Sequence, residues 1–232
     1  MAIDLLKLLS AIVYINTGFE SICACDASND NYQTEHWDSD TLILNKIKGK
    51  SESNMQYSRT GNLKQINSSW FPNTTEVISF NNNLLIKLNN FTFSHLVKLK
   101  VLNISNNKIS VIEPLSFEGL TNLRILNLRN NEIQFNLLSV DVFKPLIILE
   151  HLDLVQQISS QKNDVQGSML QPLTFLRNLS ISTVSFILDF EPEFLSLTNL
   201  EVLEITGLTR NITNTSFENV KGLKELALRD MM

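Results

Sequence analysis

The sequence predicts an α/β solenoid, a curved horseshoe of short coils with a parallel sheet on its concave side and an irregular convex side. Three observations predict it. An apolar set recurs every two dozen or so residues, with coils starting at Thr75, Leu99, Leu123, Leu149, Leu176, Leu200 and Leu223. A phenylalanine recurs near the end of the coils, at Phe93, Phe117, Phe143, Phe194 and Phe217, with Leu170 in its place in the longest one. Three residues after each of these comes Leu96, Leu120, Leu146, Leu173, Leu197 or Val220. One coil cannot bury such a set alone; stacked coils can, each touching mainly its neighbours.

The clearest unit runs from Leu99 to Leu128. Leu99, Leu102, Ile104, Asn107, Ile109 and Ile112 fill the pattern LxxLxLxxNxLxxL, and Leu123, Leu126, Leu128, Asn131 and Ile133 begin it again. That spacing is the signature of a leucine-rich repeat. Leu102 and Ile104 are two apart, so a short strand turns both to one face, and Lys100, Val101, Asn103 and Ser105 to the other. Asn107 sits where the chain must bend, and its amide both donates and accepts, which satisfies backbone groups that a buried bend would orphan. This slot holds Asn83, Asn107 and Asn131, then Gln157, Val184 and Leu208. Turn bonding is therefore expected to weaken, and local geometry to change, in the later units. A polar excursion at Ser159 to Gly167 lengthens one of them. The last unit stops just after its strand, so Leu223, Leu226 and Leu228 are expected to leave a core face open; the chain reads as part of a longer protein, or as a truncated product of one.

Composition agrees with a folded chain: of 232 residues, 43% are hydrophobic and 19% charged. The net charge of −5 gives no footprint for nucleic acid. Residues 1–25 read as a secretory signal peptide, with Lys7 ahead of a short apolar run from Leu8 to Ile15. The two cysteines, Cys23 and Cys25, fall beside the expected cleavage point, too close to bridge easily and too few for a zinc site. Residues 26–74 read as an N-terminal flank and cap, with Leu63, Ile66 and Phe71-Pro72 leading into the repeats. Residues 75–232 read as the repeats, about six full units and a truncated last one. A membrane span needs about 20 apolar residues, and no later stretch reaches that.

No catalytic constellation emerges. His36, His95 and His151 stand in three separate contexts. His151 lies beside Glu150 and Asp153, but in register all three should project from one strand as a solvated surface cluster. No phosphate-cradling pattern occurs among the seven glycines. A binding protein is expected, not an enzyme, with no cofactor and no metal site. Its outward strand positions form three columns. The first is Glu76, Lys100, Arg124, Glu150, Arg177, Glu201, Lys224; the second Val77, Val101, Ile125, His151, Asn178, Val202, Glu225; the third Ser79, Asn103, Asn127, Asp153, Ser180, Glu204, Ala227. Lys100, Arg124, Asn127, Glu150, His151, Asp153, Arg177, Glu201 and Glu204 are the candidate ligand contacts. Their mixed signs argue against a purely electrostatic ligand.

N-x-S/T sequons occur at Asn67, Asn73, Asn90, Asn103, Asn178, Asn211 and Asn214, where random placement of these residues would give roughly four. Asn103 and Asn178 fall on the concave strands, where glycans would crowd that face and push partners toward a lateral edge or the loops.

The run NLKQINSSWFPNTTEVISFNNN (Asn62 to Asn83), followed by VLNISNNKISVIEPLSFEGLTNLRILNLRNNEI (Val101 to Ile133), closely resembles the N-terminal ectodomain of Toll-like receptors. The resemblance covers residues 57–232. It implies an extracellular ligand-recognition module in innate immunity whose partners are a protein, lipid or microbial ligand, or another leucine-rich receptor chain. The family's membrane span and TIR domain do not occur in this sequence, nor do most of its cap cysteines. The alternative is a secreted leucine-rich repeat matrix or adhesion protein with a structural role.

Overall fold

The computed structural model describes residues 61–157, 164–183, 196–207 and 222–229, with Phe217, Val220 and five isolated strands. The signal peptide with both cysteines, His36, Asn214, Phe194, Val184, Leu208 and most of the Ser159–Gly167 excursion lie outside the described residues.

Ten strands form one sheet. In spatial order they are β1 (Tyr32–Glu35), β2 (Ile43–Ile47), β3 (Met55–Ser58), β4 (Thr75–Ser79), β6 (Val101–Asn103), β8 (Ile125–Asn127), β9 (His151–Leu154), β10 (Asn178–Thr183), β12 (Val202–Gly207) and β14 (Glu225–Arg229). The first two pairings are antiparallel; every pairing from β3 onward is parallel. Parallel neighbours need a crossover, and each coil supplies one through its convex limb. That limb carries two-residue strands, β5 (Lys87–Leu88) beside β7 (Val111–Ile112) and β11 (Ile187–Leu188) beside β13 (Asn211–Ile212). Its only α-helical turn among the described residues is α1 (Gly167–Leu170), in the longest unit.

The apolar columns stack in line. Ile78, Leu102, Leu126, Leu152, Leu179, Leu203 and Leu226 are register partners across successive strands, and all are buried. Phe93, Phe117, Phe143 and Leu170 form a second buried column, with the rings of Phe117 and Phe143 stacked at 6.0 Å. Phe71, eight residues after Leu63 as Phe93 is after Leu85, extends that column one coil toward the N-terminus; it is buried, its ring 5.7 Å from Phe80. The flank thus supplies a core layer of its own. At the other end Leu226 is buried, whereas Leu223 and Leu228 are only partly covered.

The turn asparagines bind coil to coil. Asn107 Oδ1 accepts from Leu85 N–H at 3.0 Å, while Nδ2 donates to Phe80 O, Ile104 O and Ser105 O at 2.9 to 3.0 Å. Asn83 and Asn131 repeat the arrangement. The residue before each adopts a left-handed φ, at Asn82 (57°), Asn106 (52°), Asn130 (53°) and Gln156 (57°), a conformation asparagine tolerates better than most residues. The expected weakening of turn bonding is slight at Gln157, whose bond to Leu154 O lengthens to 3.3 Å. Its Oε1 accepts from Ile133 N–H at 3.2 Å and its Nε2 donates to Leu128 O at 2.9 Å, because the extra methylene still reaches the same groups.

What changes in the later coils is strand length. The carboxamide Oδ1 of Asn103 and of Asn127 accepts from the N–H two residues on, at 3.1 and 3.0 Å, and Asp153 does the same to Val155 at 2.9 Å. This local turn ends the strand, so β6 and β8 have three residues and β9 four. Ser180 and Glu204 make no such turn; their side chains bond each other at 3.1 Å, and β10 and β12 run to six residues.

Candidate concave binding face

The three outward columns have three different fates. The third is not a ligand-facing column in the first coils, a correction to the expectation for Asn127 and Asp153. Asn103, Asn127, Asp153 and Ser180 are buried. For the two asparagines and Asp153 the reason is the strand-ending turn, which folds the short side chain down onto the backbone. The expected solvated cluster of Glu150, His151 and Asp153 is likewise divided. Glu150 and His151 are half-buried, while Asp153 is fully enclosed. Burial pushes the Asp153 carboxyl up to about 6, against the pull of Arg129 and of the Val155 N–H.

Asp153 belongs instead to a network at the C-terminal ends of the strands. Arg129 Nη1 lies 3.2 Å from Asp153 Oδ2, and its Nη2 3.9 Å from Glu204 Oε1. Arg229 Nε lies 3.0 Å from the same Glu204 oxygen. Sequence reading missed both arginines. They stand two residues beyond Asn127 and Ala227, so extending the strand alternation by one step would have found them.

The first column neutralises itself. Lys100 pairs with Glu76 at 2.9 Å, Arg124 with Glu150, and Arg177 with Glu201 at 3.5 Å; Lys224 pairs with that same Glu201 at 3.0 Å. Each pair joins coils about two dozen residues apart in sequence. Lys224 and Arg177 together hold the Glu201 carboxyl below its usual range. The predicted contacts Lys100, Arg124, Glu150, Arg177 and Glu201 therefore lie together on the face, as ion pairs and not as free charges.

The second column keeps its apolar surface. Val77, Val101 and Ile125 are register partners and remain partly exposed, followed by His151, Asn178 and Val202. Burial lowers the His151 pKa, with Glu150 opposing and Arg177 adding to the fall. This gives an aliphatic stripe bordered on one side by paired charges and on the other by satisfied amides. Such a surface suits contact with a macromolecule. Among the described residues no cluster of His, Cys, Asp or Glu is arranged to hold a metal.

The sequons sort by structure. Asn67, Asn73 and Asn90 are exposed and Asn178 half-buried. Asn103 is 5% exposed, with its Oδ1 held by Ser105 through N–H and hydroxyl. A glycan there would require the strand-ending turn to open. Nothing is described of the Asn211 side chain.

Comparison with known proteins agrees with the geometry. The family profile described as Leucine rich repeat matches residues 74–133. No curated protein sequence matches the chain. Among solved structures, the chain is similar to TLR13 in a TLR13–ssRNA13 complex, with 27% identity, a TM-score of 0.57, and coverage of 73% of this chain and 29% of that one. It is similar to human trophoblast glycoprotein 5T4, with 23% identity, a TM-score of 0.65, and coverage of 77% and 68%. It is also similar to the mouse RP105/MD-1 complex, with 22% identity, a TM-score of 0.60, and coverage of 78% and 30%. The architecture is a leucine-rich repeat solenoid. The chain spans less than a third of the TLR13 and RP105/MD-1 chains it matches.

Proposed function

We propose that the chain is an extracellular ligand-recognition module of the Toll-like receptor type, acting in innate immunity by binding and not by catalysis. The observation that carries this is the concave stripe of Val77, Val101 and Ile125 beside a column of mutually paired charges. Backbone polarity there is consumed by the sheet, and most charge by neighbours. What remains to offer a partner is shape and aliphatic surface, which favours a protein or lipid ligand over a polyanion. The 27% identity to TLR13 supports the receptor type. In the same reading the chain enters the secretory route through residues 1–25, residues 26–74 cap the solenoid, and a second leucine-rich chain is a further partner.

The test is a binding screen of the secreted chain against microbial proteins, matrix and cell-surface proteins, lipid vesicles and single-stranded RNA, repeated with Ile125→Glu. The reading expects a protein or lipid ligand whose affinity falls about tenfold or more in the variant, equivalent to about 1.4 kcal/mol, with the fold intact by circular dichroism. Binding to RNA alone, with a steep salt dependence, would overturn it, as would a ligand indifferent to residue 125. A ligand found only among matrix or cell-surface proteins would move the chain to an adhesion role.

A further inference from the structure

Away from the concave sheet, a shallow groove of about 430 Å³ lies between the flanking coil and the first repeat. Ile66 and Trp70 from one coil and Phe91 from the next supply its apolar surface; Gln65 and Asn89 supply amides. Phe91 is the unusual member. Its φ of 59° is one a bulky side chain rarely adopts, and the residue is 51% exposed. The conformation is held by bonds on both sides: Phe91 N–H donates to Leu115 O at 3.0 Å, and Phe91 O accepts from Ser94 N–H at 3.2 Å. An exposed aromatic side chain thus lines the groove together with a second aromatic and two amides. Aromatic faces with amide donors and acceptors match a pyranose ring, which presents C–H faces and hydroxyl edges.

Two sequon asparagines line this groove, and they are held differently. Asn90 Oδ1 accepts from Leu115 N–H at 2.8 Å, turning that side chain toward the following coil. Asn67 stays on the groove's own coil. Its Oδ1 accepts from Ser69 N–H at 3.0 Å and from Ser69 Oγ at 2.8 Å, capping the 3-10 turn Ser68–Trp70. With the oxygen fixed, the position of Nδ2, the atom that would carry a glycan, is fixed too. Ser69 is also the hydroxyl residue of the sequon.

We infer that this groove seats the N-linked glycan of Asn67, whose first sugar covers Phe91 and Trp70. The inference rests on the secretory routing proposed above. The covered rings would otherwise be apolar surface in water, so the glycan stabilises the junction between the flank and the first repeat.

The experiment uses the full chain with Asn90→Asp, which removes the neighbouring sequon but keeps an acceptor for Leu115. It is made in a secreting, glycosylating host and trimmed to single N-acetylglucosamine residues, and made again in a host that adds no glycan. Both preparations are repeated with Phe91→Ala. Peptide mass spectrometry should find Asn67 occupied. The sugar should raise Tm by about 2–4 °C with Phe91 present, and by under about 1 °C with alanine there. An equal gain in both backgrounds would overturn the seat. So would a bare Asn67 alongside modified Asn73 or Asn178, which would leave the secretory routing standing. Bare asparagines at every sequon would remove both.

Discussion

Asn131 and Gln157, one coil apart, donate to the same carbonyl. Asn131 Nδ2 lies 2.8 Å and Gln157 Nε2 2.9 Å from Leu128 O. Asn107 and Asn131 share Ile104 O in the same way, and Asn83 and Asn107 share Phe80 O. Each coil's last core carbonyl is thus held by its own turn amide and by the next one. These shared acceptors link the core column to the turn column, and they set the first prediction.

Asn107→Ala would leave the buried Leu85 N–H without its acceptor and take one donor each from Phe80 O and Ile104 O. The expected loss is about 2–3 kcal/mol of unfolding free energy. Gln157→Ala should cost about 1 kcal/mol, because its bonds are longer and its site is partly open to water. Urea denaturation of the two variants checks this, and equal losses would contradict the ladder.

Asp153 makes stability depend on pH with an unusual sign for a carboxylate. Its pKa rises from 3.8 to about 6 on folding, mainly through burial. The folded state binds this proton more tightly than the unfolded chain. The stabilisation is therefore complete below about pH 3.8 and lost as pH rises through about 6. Asp153→Asn keeps an acceptor for the Val155 N–H, as Asn103 and Asn127 do for theirs. Relative to this variant, the parent should lose about 1 kcal/mol between pH 5 and pH 7. Thermal melts across that range measure the difference; a parent gaining on the variant as pH rises would show that Asp153 ionises more easily in the fold.

Gly119 marks a tight approach between coils. Its φ is 87°, and a Cβ there would stand 2.2 Å from Ser94 O. Gly119→Ala should destabilise by about 2 kcal/mol or more. Gly222→Ala, where the nearest carbonyl oxygen would be 3.2 Å away, should cost about 1 kcal/mol or less. Melting the two side by side checks the contrast.

Much of this was legible in the sequence because a repeat writes its core once per coil. The register from Ile78 to Leu226, the phenylalanine column and the asparagine turns all follow from spacing. What escaped had a local cause. The third column read as outward because strand alternation places it there, yet an Asn or Asp side chain is short enough to bond its own backbone two residues on. Ser180 and Glu204 do not, and the strand persists. Gln157 was read as a weaker slot, and its bonds are longer, but its extra reach keeps the slot filled. Phe71 was read as flank because its coil is two residues shorter than the next. The candidate face was found by column, but its character depends on which charges pair across coils, a relation that spacing alone does not state. Phe91 lies outside every apolar column, inside the Asn90 sequon, and its left-handed backbone angle has no mark in the spacing.

The central claim is that successive coils are joined in register by the buried columns into one parallel sheet. Hydrogen–deuterium exchange resolved to single amides tests it most directly. The Ile104 N–H donates to Asn127 O and the Leu128 N–H to Asp153 O, while Ile125 N–H donates back to Lys100 O. These amides should exchange together and slowest of all, by a common opening of the stack. Exchange at 104, 125 and 128 as fast as at exposed Leu137, which lies in a surface turn, would contradict the account.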